Sequence, residues 1–169
     1  IAFVWNGADP YRDKMLAPEF KEAGLPYDVS PAMRMMNREG LSVVDHIVAC
    51  SPWVKKTHAD QLVQECGYTQ EKANAKISIA VWGVDTEMFR PAEGFPGNGG
   101  LLKVLFAGSD PVRKGFTYLV QALAGLDGVE LLTVGMGNGG LTELGGLRTR
   151  NFGMVPHSQM ASIMIQAGI

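Results

Sequence analysis

The chain has 169 residues, 46% hydrophobic and 19% charged, a composition that calls for a packed core and excludes a disordered tail or a fibrous repeat. Fifteen Lys and Arg stand against seventeen Asp and Glu, and no basic cluster exceeds two residues, so a nucleic-acid-binding surface has no electrostatic support. Apolar stretches such as Ile77 to Trp82 fall far short of the roughly 20 residues a membrane helix needs, which points to a soluble, cytoplasmic chain with room for peripheral membrane contact.

The chain opens on the apolar run Ile1 to Trp5, with no basic segment before it and no small-residue cleavage site after it. This reads as an internal strand of a longer protein rather than a signal peptide. A second strand is expected over His46 to Ala49. After it, Ser51 can cap a helix whose first turn holds Pro52 and whose apolar face is marked by Ala59, Leu62, Val63 and Cys66, ending at Gly67. Cys50 and Cys66 lack the spacing of a metal site and read as core thiols of a reducing compartment. A third strand is expected over Lys76 to Val81, and Asp85 in GVDTEMF suits a side-chain-capped turn.

The segment from Arg90 to Gly100 holds four Gly, two Pro and almost nothing apolar, and reads as an interdomain linker. Beyond it come strand candidates over Leu102 to Ala107 and Val129 to Val134. Helical spacing appears at Phe116, Leu119, Val120 and Leu123, closed near Gly125, and again at Met160, Ile163, Met164 and Ala167 after a Ser158 cap. The alternation of strand and helix predicts an α/β fold with parallel sheets. Residues 1–90 and 91–169 then form parts of two doubly wound domains, each with fewer strands than such a domain usually has, and the apolar periodic end suggests truncation there too.

Chemistry is best supported in LKVLFAGSDPVRKGFTYLVQAL, where a loop follows a strand at its carboxyl end, the place at which open α/β sheets bind ligands. Gly108 permits close backbone approach, and Arg113 and Lys114 set two cations beside amides that open a helix, a combination suited to a diphosphate. An ordinary turn with a solvated basic pair is the bland alternative. The next strand leads into GMGNGG, where Gly135, Gly137 and Gly140 have GxGxxG spacing but no paired acid follows about 20 residues later, so a dinucleotide site is disfavoured. Walker A, GxSxG and HExxH patterns are all missing. His46, His58 and His157 read as structural or solvent-exposed, His58 on the polar side of its helix.

Four pieces in order, VDHIVACSPWVKKTHADQL, KISIAVWGVDTEMFRP, LKVLFAGSDPVRKGFTYLVQAL and VELLTVGMGNGG with FGMVPHSQMASIM, together resemble the family 4 retaining glycosyltransferases of the GT-B fold. The resemblance runs from about Asp45 to Ile169. It implies two Rossmann-like domains, an acceptor side over 1–90 and a nucleotide-sugar side over 91–169, and transfer of a sugar to an acceptor hydroxyl with retention, without metal or other cofactor. By resemblance Lys114 binds the donor diphosphate, in a loop shared with Gly108, Ser109 and Arg113, and Gly153, Met154 and Val155 match a backbone stretch that meets the nucleobase; Gly135 and Gly137 read from the sequence as a tight turn that lets the donor come near, or as a plain loop. Ser109 stands where many members carry Arg, so either Arg113 supplies the second cation or the diphosphate is held more weakly. The family's acidic pair, E-x7-E, would fall after Ile169, so no catalytic residue is assigned and the fragment alone is expected to be inactive. A nucleotide-sugar epimerase of the same fold and a non-catalytic nucleotide-binding module are the alternatives.

Overall fold

The computed structural model describes residues 1–4, 6–29, 31–91, 100–137 and 146–167. It divides into two compact units, Ile1–Gly83 and Val84–Ile169, so the boundary falls a few residues before the glycine-rich stretch. Most of that stretch, 92–99, lies outside the described residues, as does Gly140.

The first unit contains β1 (Ala2–Val4), α1 (Asp9–Glu22), α2 (Pro31–Val43), β2 (Ile47–Ala49), α3 (Pro52–Cys66), α4 (Gln70–Lys76) and β3 (Ile77–Ile79). Its strands form a parallel sheet in the order β1-β2-β3, with Ala2 level with Ile47 and Ile47 level with Ile77. The central strand is the most buried: Ile47 and Ala49 are fully enclosed and pack with Leu41, Val54, Ala59, Leu62, Ala73 and Ile77. Helix α3 starts where Ser51 Oγ accepts the Val54 N–H at 3.1 Å, satisfying one of the free amides of the first turn. It stops where Gly67 takes a left-handed conformation, φ 72°, that a side chain would resist. Thr69 caps α4 in the same way, through the Lys72 N–H.

The second unit contains β4 (Leu102–Ala107), α5 (Phe116–Leu123), β5 (Val129–Val134), β6 (Arg148–Asn151) and α6 (His157–Ala167), with a parallel sheet ordered β4-β5-β6. Strand β5 is the buried centre, with Leu131, Leu132 and Thr133 almost fully enclosed. Phe106 and Phe116 meet with ring centroids 4.8 Å apart, fastening α5 to β4. Near the unit's start Asp85 Oδ1 accepts the amides of Glu87 and Met88, both at 3.0 Å, the side-chain-capped turn expected there.

The molecule is thus α/β with parallel strands, and in both units the described strands advance in sequence order. Several boundaries differ from those the sequence suggests. The third strand ends at Ile79, and Val81 and Trp82 are exposed by 77% and 67%, so the apolar run there is not a buried strand. Helix α6 begins at His157, placing Ser158 inside the first turn instead of at the cap. Cys50 and Cys66 are only partly buried. The buried face of α3 comprises Val54, Thr57, His58, Ala59, Gln61 and Leu62, rotated from the face through Val63 and Cys66. His58 therefore points into the protein and is 7% exposed, which corrects its placement on a polar side.

Candidate functional site

Parallel pairing brings the carboxyl ends of β4, β5 and β6 to one level. The ladder pairs Ala107 with Val134 and Thr133 with Asn151, and it continues past the strand ends. Gly108 donates its N–H to the Val134 carbonyl at 2.8 Å, Phe152 to Thr133 at 2.9 Å, and Gly135 to the Gly153 carbonyl at 2.7 Å. Gly108, Gly135 and Gly153 thereby lie side by side, one just beyond each strand, and form a ledge of bare backbone.

Glycine has a physical reason at each place. At Gly135 φ is 85°, and an added Cβ would come within 3.0 Å of the Gly108 carbonyl carbon and 3.3 Å of the Ser109 nitrogen. A Cβ at Gly108 would meet Lys114 Cδ at 2.8 Å. Gly153 has φ 64° with open space around its missing side chain, and its N–H is held by Asn151 Oδ1 at 2.9 Å. The same Asn151 oxygen accepts from Thr133 Oγ1 at 3.0 Å, so the ledge is tied to the buried β5.

The loop from β4 to α5 curls over this ledge. Asp110 organises it: its Oδ1 accepts the Arg113 amide at 3.2 Å, and its carbonyl accepts the Lys114 amide at 3.1 Å. Gly115, with φ 72°, then turns the chain into α5, which has no side-chain cap. The aliphatic stem of Lys114 crosses Gly108, and the ammonium has no hydrogen bond or ion pair among the described residues. Arg113 differs: its Nε is paired with Asp110 Oδ2 at 2.9 Å. One cation of the basic pair is thus locally neutralised, and Lys114 is the one left for an anion.

The remaining residues suggested by the sequence fall unevenly around this point. Ser109 is exposed on the loop. Gly137 is exposed with open space about it, following the buried Met136. Met154 is 77% exposed and Val155 partly buried just beyond Gly153. The structure therefore brings Gly108, Ser109, Lys114, Gly135 and Gly153 together, and leaves Gly137 and Met154 outside the hydrogen-bonded ledge.

Sequence reasoning missed the buried polar residues of the first unit, Asp9, Thr57, His58 and Gln61. The spacing Val54, His58, Leu62, four residues apart on one helix face, is the signal that could have found His58. Among the described residues no cluster of three or more His, Cys, Asp or Glu could hold a metal ion, and no helix is long and apolar enough to cross a membrane. No protein-family model and no curated protein matches this chain.

Proposed function

We propose that this chain is part of a retaining glycosyltransferase of GT-B type, with the second unit binding the diphosphate of a nucleoside-diphosphate sugar and the first unit serving the acceptor hydroxyl. The observation that carries the reading is the stem of Lys114 laid across Gly108 at the carboxyl end of β4, with an ammonium free of protein partners among the described residues. Lys114, seated over Gly108 beside Ser109, supplies a single ammonium that stabilises the charge growing on a departing nucleoside diphosphate. Base recognition falls to the backbone of Met154 and Val155, positioned by Gly153, whose own N–H and carbonyl are held by Asn151 and Gly135. No metal is required for this step. The direct experiment is calorimetric titration with UDP, GDP and ADP. One of them is expected to bind in the micromolar range, on the order of −8 kcal/mol, and Lys114→Ala to weaken it about tenfold. Equal affinity in that variant removes the assignment.

The pairing of Arg113 with Asp110 favours one second reading, a nucleotide-binding module without transferase activity, because it leaves the ledge with a single cation. Sugar release from the bound donor separates the two. A transferase hydrolyses or transfers the sugar, whereas a binding module leaves the donor intact.

A further inference from the structure

The loop between β4 and α5 carries Asp110, Arg113 and Lys114, and the acid among them makes three bonds that shape it. Asp110 Oδ1 accepts the Arg113 amide at 3.2 Å, Oδ2 accepts Arg113 Nε at 2.9 Å, and the backbone carbonyl accepts the Lys114 amide at 3.1 Å. The turn then closes as Gly115 donates to the Val112 carbonyl at 3.1 Å and Phe116 to the Pro111 carbonyl at 2.8 Å. Lys114 is thereby delivered to the place where its stem crosses Gly108.

The turn needs an oxygen at residue 110 but not a charge. An amide oxygen accepts the Arg113 N–H as a carboxylate does, so asparagine would serve the backbone equally. The ion pair adds little to the fold, because the side chains of Arg113 and Asp110 are 40% and 36% exposed and such pairs are held weakly in water. What the charge does change is the field beside the ledge: it neutralises Arg113, leaves Lys114 as the single uncompensated cation, and opposes any anion that approaches.

We infer that Asp110 is a positioning residue of the diphosphate site, acting through its two basic neighbours: its oxygens hold Lys114 over Gly108, and its charge restrains Arg113 and weakens the grip on the anion, so that a spent diphosphate can leave. The inference rests on the diphosphate reading of the second unit. It gives Asp110 no contact with the ligand.

The test compares the 169-residue chain with Asp110→Asn and Asp110→Ala, titrated with inorganic pyrophosphate and with UDP, GDP and ADP at low and high salt. Amide exchange at Arg113 and Lys114 is followed by NMR in the same proteins without ligand. Asp110→Asn keeps the acceptor and removes the charge, and is expected to bind pyrophosphate about threefold more tightly than the parent, with a steeper loss on adding salt. Asp110→Ala removes both, and is expected to bind about fivefold more weakly than Asp110→Asn, the worth of one hydrogen bond, with faster exchange at the two amides. A residue that merely stabilised the fold would weaken both variants together and leave the salt dependence unchanged, and that result overturns the proposal. Equal affinity and equal exchange in the two variants overturn it as well. Absence of any binding by the parent and by Asp110→Asn removes the diphosphate reading and the charge role with it, while the exchange rates still decide whether Asp110 holds the loop.

Discussion

Lys114 lies across Gly108 so closely that no side chain fits at residue 108 without displacing it: a Cβ there would be 2.8 Å from Lys114 Cδ. The two residues act as one device, a glycine that makes room and a lysine that fills the room with its stem and carries its charge over the strand end. Substitution at either should therefore have the same consequence.

Gly108→Val is expected to push the lysine stem off the ledge and weaken nucleoside diphosphate binding about as much as Lys114→Ala, roughly tenfold. The double variant should be no worse than either single one, because the same interaction is removed twice. Calorimetry on the three variants checks this, and additive losses would show that the glycine serves something other than the lysine.

Gly135 and Gly153 separate conformation from space. Both have positive φ, but only at Gly135 does an added methyl run into neighbouring backbone, 3.0 Å from the Gly108 carbonyl carbon. Gly153→Ala is expected to cost about 1 kcal/mol, the left-handed penalty alone. Gly135→Ala should exceed it, at about 2–3 kcal/mol, because it also separates β4 from β5. Urea unfolding followed by a probe in the second unit ranks them, and equal losses would mean that the strand ends move apart freely.

What the sequence revealed of this arrangement follows from which signals are local. Strands β4 and β5 coincide with LKVLFA and VELLTV because each is an apolar run closed by turn residues. Strand β6 is Arg148–Asn151, whose residues carry no apolar pattern. It is largely exposed, and backbone pairing to β5 makes it a strand, so nothing local announces it. The glycine ledge depends on that hidden strand, since Gly153 joins Gly108 and Gly135 only through the register of β5 with β6. Helix α1 escaped notice for a related reason: Asp9 is its only fully buried residue, and its ties are polar, Tyr11 to Asp60 at 2.5 Å and Tyr27 to Asp13 at 2.7 Å. The Ser51 cap and the Gly67 stop were legible because each acts within a few residues of itself.

The Ser51 cap gives a prediction confined to the first unit. Ser51→Ala removes the acceptor of the Val54 N–H and should cost about 1 kcal/mol, whereas Ser51→Asp should retain most of the stability because a carboxylate accepts the same bond and favours the helix start. Thermal unfolding of the two variants tests the cap separately from any change of side-chain volume.

The burial of His58 makes stability depend on pH with a definite sign. Desolvation lowers its pKa below the ordinary 6.5, opposed by the bond to the Asn6 carbonyl and by the charge of Asp9. The unfolded chain therefore takes up a proton at a higher pH than the folded one does. Above 6.5 the ring is neutral in both states and costs nothing; as pH falls from 6.5 toward the lower folded value, stability is lost. The charged group acting on the ring is Asp9, itself paired with Arg12 at 2.6 Å. Urea midpoints measured between pH 7 and 5 should fall in the parent chain and fall less steeply in His58→Gln, which keeps an acceptor and a donor but no titratable nitrogen. Parallel slopes in the two proteins would place the pH sensitivity elsewhere and show that the imidazole can be protonated where it stands.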